Sequence, residues 1–283
     1  MKIFVYAATG LVSGLVVDGL LAKGHEVYAA ARNPESGKKA PNLHWVKADA
    51  LQPNLGLEVL DQVDRAFFLS PTGFTDQFGV LNPWIEKAKS KKLQKIVLMT
   101  AIGVEHSPED MPLRKLEITL KNSGIAYNII RPNWFMQNFQ TFWISGILKD
   151  KKIYFPAGDA KASFIDVRDI ASSAVSLLLN DSSNGKEFML TGKESITHDE
   201  AAQKLSKATG LNITFKDITS EEFKKNLLSA GVSEDYSNVL VYIAGLLKEG
   251  HVAAISNDVK EITGKDPISF DQYANDNKKV WLN

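Results

Sequence analysis

At 283 residues, 44% of them hydrophobic, the chain can bury a large core as one α/β domain or one domain with a small appendage. Lysine plus arginine and aspartate plus glutamate number 33 each, so no concentrated positive charge marks a nucleic-acid or anionic-membrane surface. The absence of cysteine excludes disulfides, thiolate catalysis and thiolate metal sites. With no signal-peptide pattern and no apolar stretch of membrane-spanning length, a cytoplasmic protein without a membrane partner is expected. The basic clusters Lys91-Lys92 and Lys149 to Lys152 fall at predicted helix ends, where cations complement the dipole.

Lys2 to Tyr6 is a β-rich run, punctuated by Ala7-Ala8-Thr9-Gly10. Leu11, Val12, Leu15, Val16 and Leu20 then recur at helical spacing, and Glu26 to Ala31 reads as a second strand ending at Arg32. A strand, tight turn and helix of this kind aims backbone N–H groups and the positive helix end at one point, which suits a pyrophosphate. Dinucleotide folds place the ribose-reading residue about 20 residues beyond the glycines. Arg32 lies in that neighbourhood, and residues 28–34 contain no carboxylate. An acid there accepts hydrogen bonds from the ribose 2′-OH, whereas a guanidinium holds a 2′-phosphate bidentately. NADP(H) is therefore expected in preference to NAD(H).

The dinucleotide fingerprint wants glycine at three places, and this chain offers Ala7, Gly10 and Ser13. Gly10 is the one that lets backbone approach the phosphates. Alanine suits the first place only where φ is negative. Ser13 adds a hydroxymethyl group where helix and strand pack closely, a crowding that Gly14 is expected to relieve. A βαβ turn that binds nothing is the alternative reading of these residues alone.

Leu43 to Val46 reads as a third strand ending before Asp49, and Arg65 to Leu69 as a fourth ending at Ser70-Pro71. Asp76 to Lys92 is helical, Lys95 to Met99 is a strand ending at Thr100, Pro112 to Asn122 is a helix, and Ala126 to Ile130 is a strand ending at Arg131-Pro132. Strands alternating with helices imply right-handed crossovers and a doubly wound parallel sheet of Rossmann type. Ligands collect beyond the carboxyl ends of such strands. Those ends make one line: Ala7 to Gly10, Arg32, Asp49, Ser70 to Thr72, Thr100 to Ile102, and Pro132 to Trp134. From it Thr9, Asp49, Ala101 and Pro132 join the candidate cofactor residues.

Beyond about residue 150 the rhythm loosens. Asp166 to Leu179 and Thr197 to Thr209 read as helices, Glu187 to Leu190 and Ile213 to Ile218 as strands, 219–250 as helical, and Phe270 to Val280 as a final short helix. The division expected is a dinucleotide-binding domain over 1–150 and a small, mostly helical substrate cap over 151–283. Part of the cap, around 164–190, returns to the sheet, where Phe188 to Leu190 is a candidate seventh strand.

Several blocks together resemble the NmrA-like branch of atypical short-chain dehydrogenase/reductases. They are Ala8-Thr9-Gly10-Leu11-Val12, the run from Asn128 to Asn138 (NIIRPNWFMQN), the run from Phe164 to Ala171 (FIDVRDIA), and Leu190-Thr191-Gly192. The likeness extends over nearly the whole chain, and the middle block is its most specific part. Relatives of this kind include NAD(P)H:quinone oxidoreductases, triphenylmethane reductases, and non-enzymatic transcriptional regulators that sense dinucleotide. The resemblance implies that Gly10, Leu11, Val12, Arg32, Asn33, Ser70, Pro71 and Thr100 surround the cofactor. It also implies that Asn133, Trp134, Phe135 and Asn138 lie near the nicotinamide and substrate.

Extended members of the superfamily carry a tyrosine and a lysine four residues apart on the helix after the fifth strand, and often an acid four residues later. Counted back from Glu117, those positions hold Leu113 and Glu109, so the proton relay of epimerases and alcohol dehydrogenases is missing. Lys115 is off by two residues, which turns it about 200° around the helix. Thr100 is left as a hydrogen-bond donor, although a threonine at a strand end is more often a structural cap.

Reducing an ordinary ketone leaves a strongly basic alkoxide, so a positioned acid matters. Reducing a quinone or another conjugated electrophile leaves a delocalised anion that water can protonate. Such an enzyme mainly holds the dihydronicotinamide against a flat apolar acceptor and keeps the contact dry. Trp134 and Phe135 are the candidate acceptor surface, with Phe74 in the loop after the fourth strand as a lid. Phe135, Phe139 and Phe142 also fit a helical core stripe at i, i+4 and i+7.

The leading expectation is thus an NAD(P)H-dependent reductase of a quinone-like or other conjugated small molecule. The alternative is a non-catalytic NADP(H)-sensing protein, and a nucleotide-sugar epimerase ranks third. The remaining polar residues read as structural. Glu117 and Arg131 are expected to pair, Asp166 and Asp169 flank a helix start, and the histidines have no metal-ligand spacing, so no metal is placed. Either a monomer or a homodimer is compatible with the sequence.

Overall fold

In the computed structural model the described residues are 1–282. The chain divides into two compact units, Met1–Pro132 with Ile170–Met189, and Asn133–Asp169 with Leu190–Asn283.

The first unit is built from β1 (Lys2–Val5), α1 (Leu11–Ala22), β2 (Glu26–Ala31), β3 (Leu43–Lys47), β4 (Arg65–Leu69), α2 (Gln77–Ser90), β5 (Lys95–Met99), α3 (Pro112–Lys121) and β6 (Ala126–Pro132). Its strands are short and almost wholly apolar inside, as expected of a sheet covered on both faces. They pair in the order β3-β2-β1-β4-β5-β6, all in parallel. One face is filled by an aromatic group. Phe4 stacks on Trp84 of α2 at 5.0 Å between ring centroids, and Tyr6 meets the same indole edge-on at 5.2 Å. Val12, Val16, Val17 and Leu20 are the buried side of α1.

After β6 the chain enters α4 (Ile144–Asp150), β7 (Lys152–Phe155) and β8 (Lys161–Ala162), then α5 (Val167–Leu179) and β9 (Glu187–Leu190). β9 is the seventh strand of the sheet, beside β6. Ile129 N–H donates to the Lys186 carbonyl at 3.3 Å and Asn133 N–H to that of Leu190 at 2.9 Å, a constant offset that makes this pair parallel too. The Rossmann-type doubly wound parallel sheet is thus present, and the return of Phe188 to Leu190 completes it.

Two buried cations tie the far end of α5 to the sheet. Arg65 and Lys95 are register partners at the starts of β4 and β5. Arg65 donates to the Leu178 carbonyl at 2.7 Å and Lys95 to that of Asn180 at 2.6 Å, satisfying the helix's last acceptors. Burial pulls the Lys95 ammonium down to about 8, against the opposing pull of Asp181.

The second unit continues with β10 (Ile196–Thr197), α6 (His198–Thr209), β11 (Thr214–Asp217), α7 (Ser220–Ser229), α8 (Glu234–Lys248), α9 (Asp258–Thr263), α10 (Phe270–Asn277) and α11 (Lys279–Leu282). Thr197 and Glu200 form a reciprocal capping box at the start of α6. Three short strands lie outside the sequence reading: β7 pairs in parallel with β11, and β8 pairs antiparallel with β10. The aromatic spacing at Phe135, Phe139 and Phe142 is not a helical stripe. Residues Met136–Gln140 form a 3-10 turn and α4 begins only at Ile144, leaving Phe139 buried and Phe142 exposed.

Candidate functional site

Because β1 to β6 are parallel, all six carboxyl ends emerge at one edge of the sheet. That edge gathers Ala7 to Gly10, Arg32 and Asn33, Asp49, Ser70 and Pro71, Thr100 and Ala101, and Pro132. The order reverses direction between β1 and β4, which sets the crevice of a doubly wound sheet beside the Ala7–Gly10 turn.

The turn is built for close approach. Gly10 is the N-cap of α1 and brings no side-chain acceptor to the first turn, which also lacks any acid. A Cβ on Gly10 would stand 3.2 Å from the Ala7 carbonyl oxygen, so a larger residue would crowd the cradle. The first N–H groups of α1 therefore suit an anion, and the residues present fit a pyrophosphate. Ala7 departs from the condition set for it: its φ is +50°, the left-handed region that normally asks for glycine. Ser13 is accommodated by a bond that the sequence reading missed, its buried hydroxyl donating to the Tyr6 carbonyl at 2.9 Å. Its place facing β1, one turn inside the helix, was the available signal.

Along the rest of the edge, Thr9, Leu11, Arg32 and Asn33 are exposed and Val12 is buried. Arg32 has no salt-bridge partner among the described residues. Asp49 accepts the Leu51 N–H at 3.0 Å, and Tyr6 beside it is pushed up to about 12 by burial and by the Asp49 charge. Ser70 and Pro71 are half-buried. Phe74 packs against the aromatic core of this unit, and its carbonyl accepts from Gln77 at 2.7 Å.

Thr100 is buried and donates its hydroxyl to Glu117 Oε1 at 2.7 Å. Glu117 is itself fully buried and takes both a 2.8 Å and a 2.7 Å bond from Arg131. Glu187 and Glu105 also surround Arg131, two partners absent from the sequence reading because they come from β9 and the loop before α3. Burial opposes the Arg131 charge, but these carboxylates outweigh it and raise its pKa above the usual arginine range. Leu113 lies in the first turn of α3 and Glu109 precedes the helix, so neither relay position carries tyrosine or lysine.

In the second unit, Trp134 and Phe135 are half-buried. Trp134 stacks on Trp143 at 6.3 Å and meets Phe155 edge-on at 5.3 Å. Asn133 is buried with its amide fully engaged. Its Oδ1 accepts the Trp134 N–H at 2.8 Å, and its Nδ2 donates to Ser163 Oγ at 2.6 Å and to the Val252 carbonyl at 2.7 Å. The Asn138 carbonyl receives the Trp143 N–H at 2.9 Å, closing the turn that follows Phe135. His198 is fully buried among Phe139, Trp143, Phe155, Phe164 and Phe215, and neither ring nitrogen has a hydrogen-bond partner. Among the described residues no group of His, Asp and Glu could hold a metal ion, and no helix is long and apolar enough to cross a membrane.

The family model described as "NmrA-like family" matches residues 1–273. Prestalk A differentiation protein A of Dictyostelium discoideum is 31% identical over 97% of this chain and 91% of its own length. Agroclavine dehydrogenase of Claviceps fusiformis is 28% identical over 90% of this chain and 89% of its own. NAD(P)H azoreductase of Xenophilus azovorans is 26% identical over 96% of each. Among solved structures, the Escherichia coli NADPH-dependent quinone oxidoreductase complexed with NADPH superposes with a TM-score of 0.85 at 20% identity, covering 97% of this chain and 99% of that one. The Citrobacter sp. triphenylmethane reductase complexed with NADP(H) gives 0.82 at 21% identity over 98% and 100%. A Staphylococcus aureus nucleoside-diphosphate-sugar epimerase gives 0.85 at 19% identity over 97% and 100%. At these identities the superpositions carry the fold alone.

Proposed function

Because this chain belongs to the NmrA-like family, we propose that it is an NADPH-dependent reductase acting on a quinone-like or other conjugated electrophilic small molecule. The reading rests on one observation above the rest: the relay positions hold Glu109 and Leu113 in place of tyrosine and lysine, and the Thr100 hydroxyl is committed to Glu117. Acceptors whose reduced form is a delocalised anion need no positioned acid, whereas simple carbonyls do. Azo compounds and quinones, acted on by relatives by name, are of the first kind.

When bound, the dihydronicotinamide supplies the hydride, and the protein's part is binding, orientation and exclusion of water. The N–H groups of Leu11 and Val12 at the Gly10 turn hold the pyrophosphate, and Arg32 with Asn33 meets the 2′-phosphate of the adenosine. Thr9, Asp49, Ser70, Pro71, Thr100, Ala101 and Pro132 complete this cofactor edge. Trp134, Phe135 and Asn138 are assigned to the acceptor, Asn133 fixing the backbone of Trp134 and Phe74 flanking the fourth strand's end.

A second reading, dinucleotide binding without turnover, draws on the left-handed Ala7 and the engaged Thr100. A nucleotide-sugar epimerase is disfavoured by Glu109 and Leu113. Steady-state oxidation of NADPH with a panel of quinones separates these readings. Acceptor-dependent oxidation well above the non-enzymatic background supports the reductase; tight NADPH binding with no turnover of any acceptor supports the sensor.

A further inference from the structure

The loop that follows Arg32 is held from an unexpected direction. Asn33 begins a 3-10 turn over Pro34–Ser36, closed by the Ser36 hydroxyl on the Asn33 carbonyl at 2.8 Å and by Gly37 N–H on the Pro34 carbonyl at 3.1 Å. This compact turn has no apolar side chain of its own inside the core, since none of its residues is buried. Its anchor is Trp45 on β3, the edge strand next to β2, where Trp45 is the register partner of Ala29. The Trp45 indole N–H donates to the Lys38 carbonyl at 2.8 Å. The ring also lies flush on Gly37, where a Cβ would run into Trp45 Cε2, Cζ2 and Nε1. The Lys38 ammonium in turn pairs with Asp18 on α1.

We propose that Trp45 is the positioning residue for recognition of the 2′-phosphate: through Gly37 and Lys38 it fixes the loop that presents Arg32 and Asn33. The inference rests on the reading of Arg32 given above. An exposed guanidinium gains its advantage over solvent only if its backbone is already in place, because the cost of ordering a mobile loop is otherwise charged against binding. Gly37 is required here by contact rather than by backbone conformation, its φ of −72° being open to any residue. Trp45 touches no reacting group, so its effect should follow the 2′-phosphate and nothing else in the coenzyme.

Calorimetric titration of NADPH and NADH into the full chain, with Trp45→Phe, Gly37→Ala, Arg32→Ala and the Trp45→Phe/Arg32→Ala double variant, tests this. Trp45→Phe keeps an aromatic ring on β3 but removes both the N–H donor and part of the indole seated on Gly37; it should weaken NADPH by about two- to tenfold while leaving NADH unchanged. Gly37→Ala should lower the NADPH to NADH preference in the same direction. In the Arg32→Ala background, Trp45→Phe should have no further effect, the mark of two residues acting through one contact. If Trp45→Phe weakens both coenzymes equally, or neither, or adds its full effect to Arg32→Ala, the positioning role is overturned while the phosphate reading stands. If Arg32→Ala itself leaves the preference unchanged, the phosphate reading fails, and this inference with it.

Discussion

Thr100 Oγ1 donates to Glu117 Oε1 at 2.7 Å, and that bond decides what Thr100 can do. The hydroxyl has one hydrogen, and it points at a fully buried carboxylate also gripped by Arg131. Thr100→Val keeps the shape and removes the donor, so it should destabilise the fold by about 1.5–3 kcal/mol, as for a hydrogen bond to a charged group. Acceptor reduction should keep a kcat within about threefold of the parent, against the roughly 100-fold or larger loss expected of a general acid. Denaturant unfolding and steady-state kinetics on the same preparation read both.

Arg32 is exposed, unpaired among the described residues, and placed at the end of β2. Arg32→Ala should weaken NADPH by about 1–3 kcal/mol more than NADH, through loss of a charge-assisted contact. Competitive inhibition by 2′-phosphorylated and plain adenosine nucleotides gives an independent reading. Equal losses for the two would remove Arg32 from phosphate recognition.

Ala7 at a φ of +50° carries the strain of a β-carbon in the left-handed region. Ala7→Gly relieves it, at some cost in unfolded-chain entropy, and should raise stability by about 0.5–1 kcal/mol. A fall in the unfolding midpoint would show that the turn is not strained.

His198 gives the fold a pH dependence with a definite sign. Burial lowers its pKa to about 3 from an ordinary value of 6.5. Between those values the unfolded chain holds a proton that the folded chain refuses, so stability falls as pH drops through that window, by about 1.4 kcal/mol per unit for this group. His198→Leu removes both the titration and two unpartnered nitrogens. Its stability relative to the parent should be greater at about pH 5 than at about pH 8, by roughly 2 kcal/mol. Asp169, pushed up to about 6 mainly by burial, contributes with the opposite sign in both proteins and drops out of the difference. Urea melts at the two pH values measure it.

What could be read from the sequence follows from how far apart the cooperating residues lie. The strands β1 to β6 are apolar runs bounded by turn residues, and the helices between them repeat on one face, so fold and strand-end line were legible locally. β7 and β8 were not: they are four and two residues long and owe their existence to β11 and β10, more than thirty residues away. The aromatic spacing after Phe135 mimicked a helix because periodicity cannot register the turn closed by the Asn138 carbonyl. Asn133 has its amide partners 30 and 119 positions away, and Trp45 looked like an ordinary strand residue. Its hold on Gly37 and Lys38 exists only in three dimensions.

The central claim is direct hydride delivery from NADPH to a conjugated electrophile, and a cationic triarylmethane acceptor tests it most directly. With NADPH deuterated at the transferring position of the nicotinamide, hydride transfer forms one carbon–deuterium bond at the acceptor's central carbon and needs no proton to finish. Mass spectrometry of the decolourised product should find one deuterium per molecule, with one coenzyme oxidised for each acceptor reduced. Decolourisation without that label, or no reduction beyond the enzyme-free control, would contradict the account.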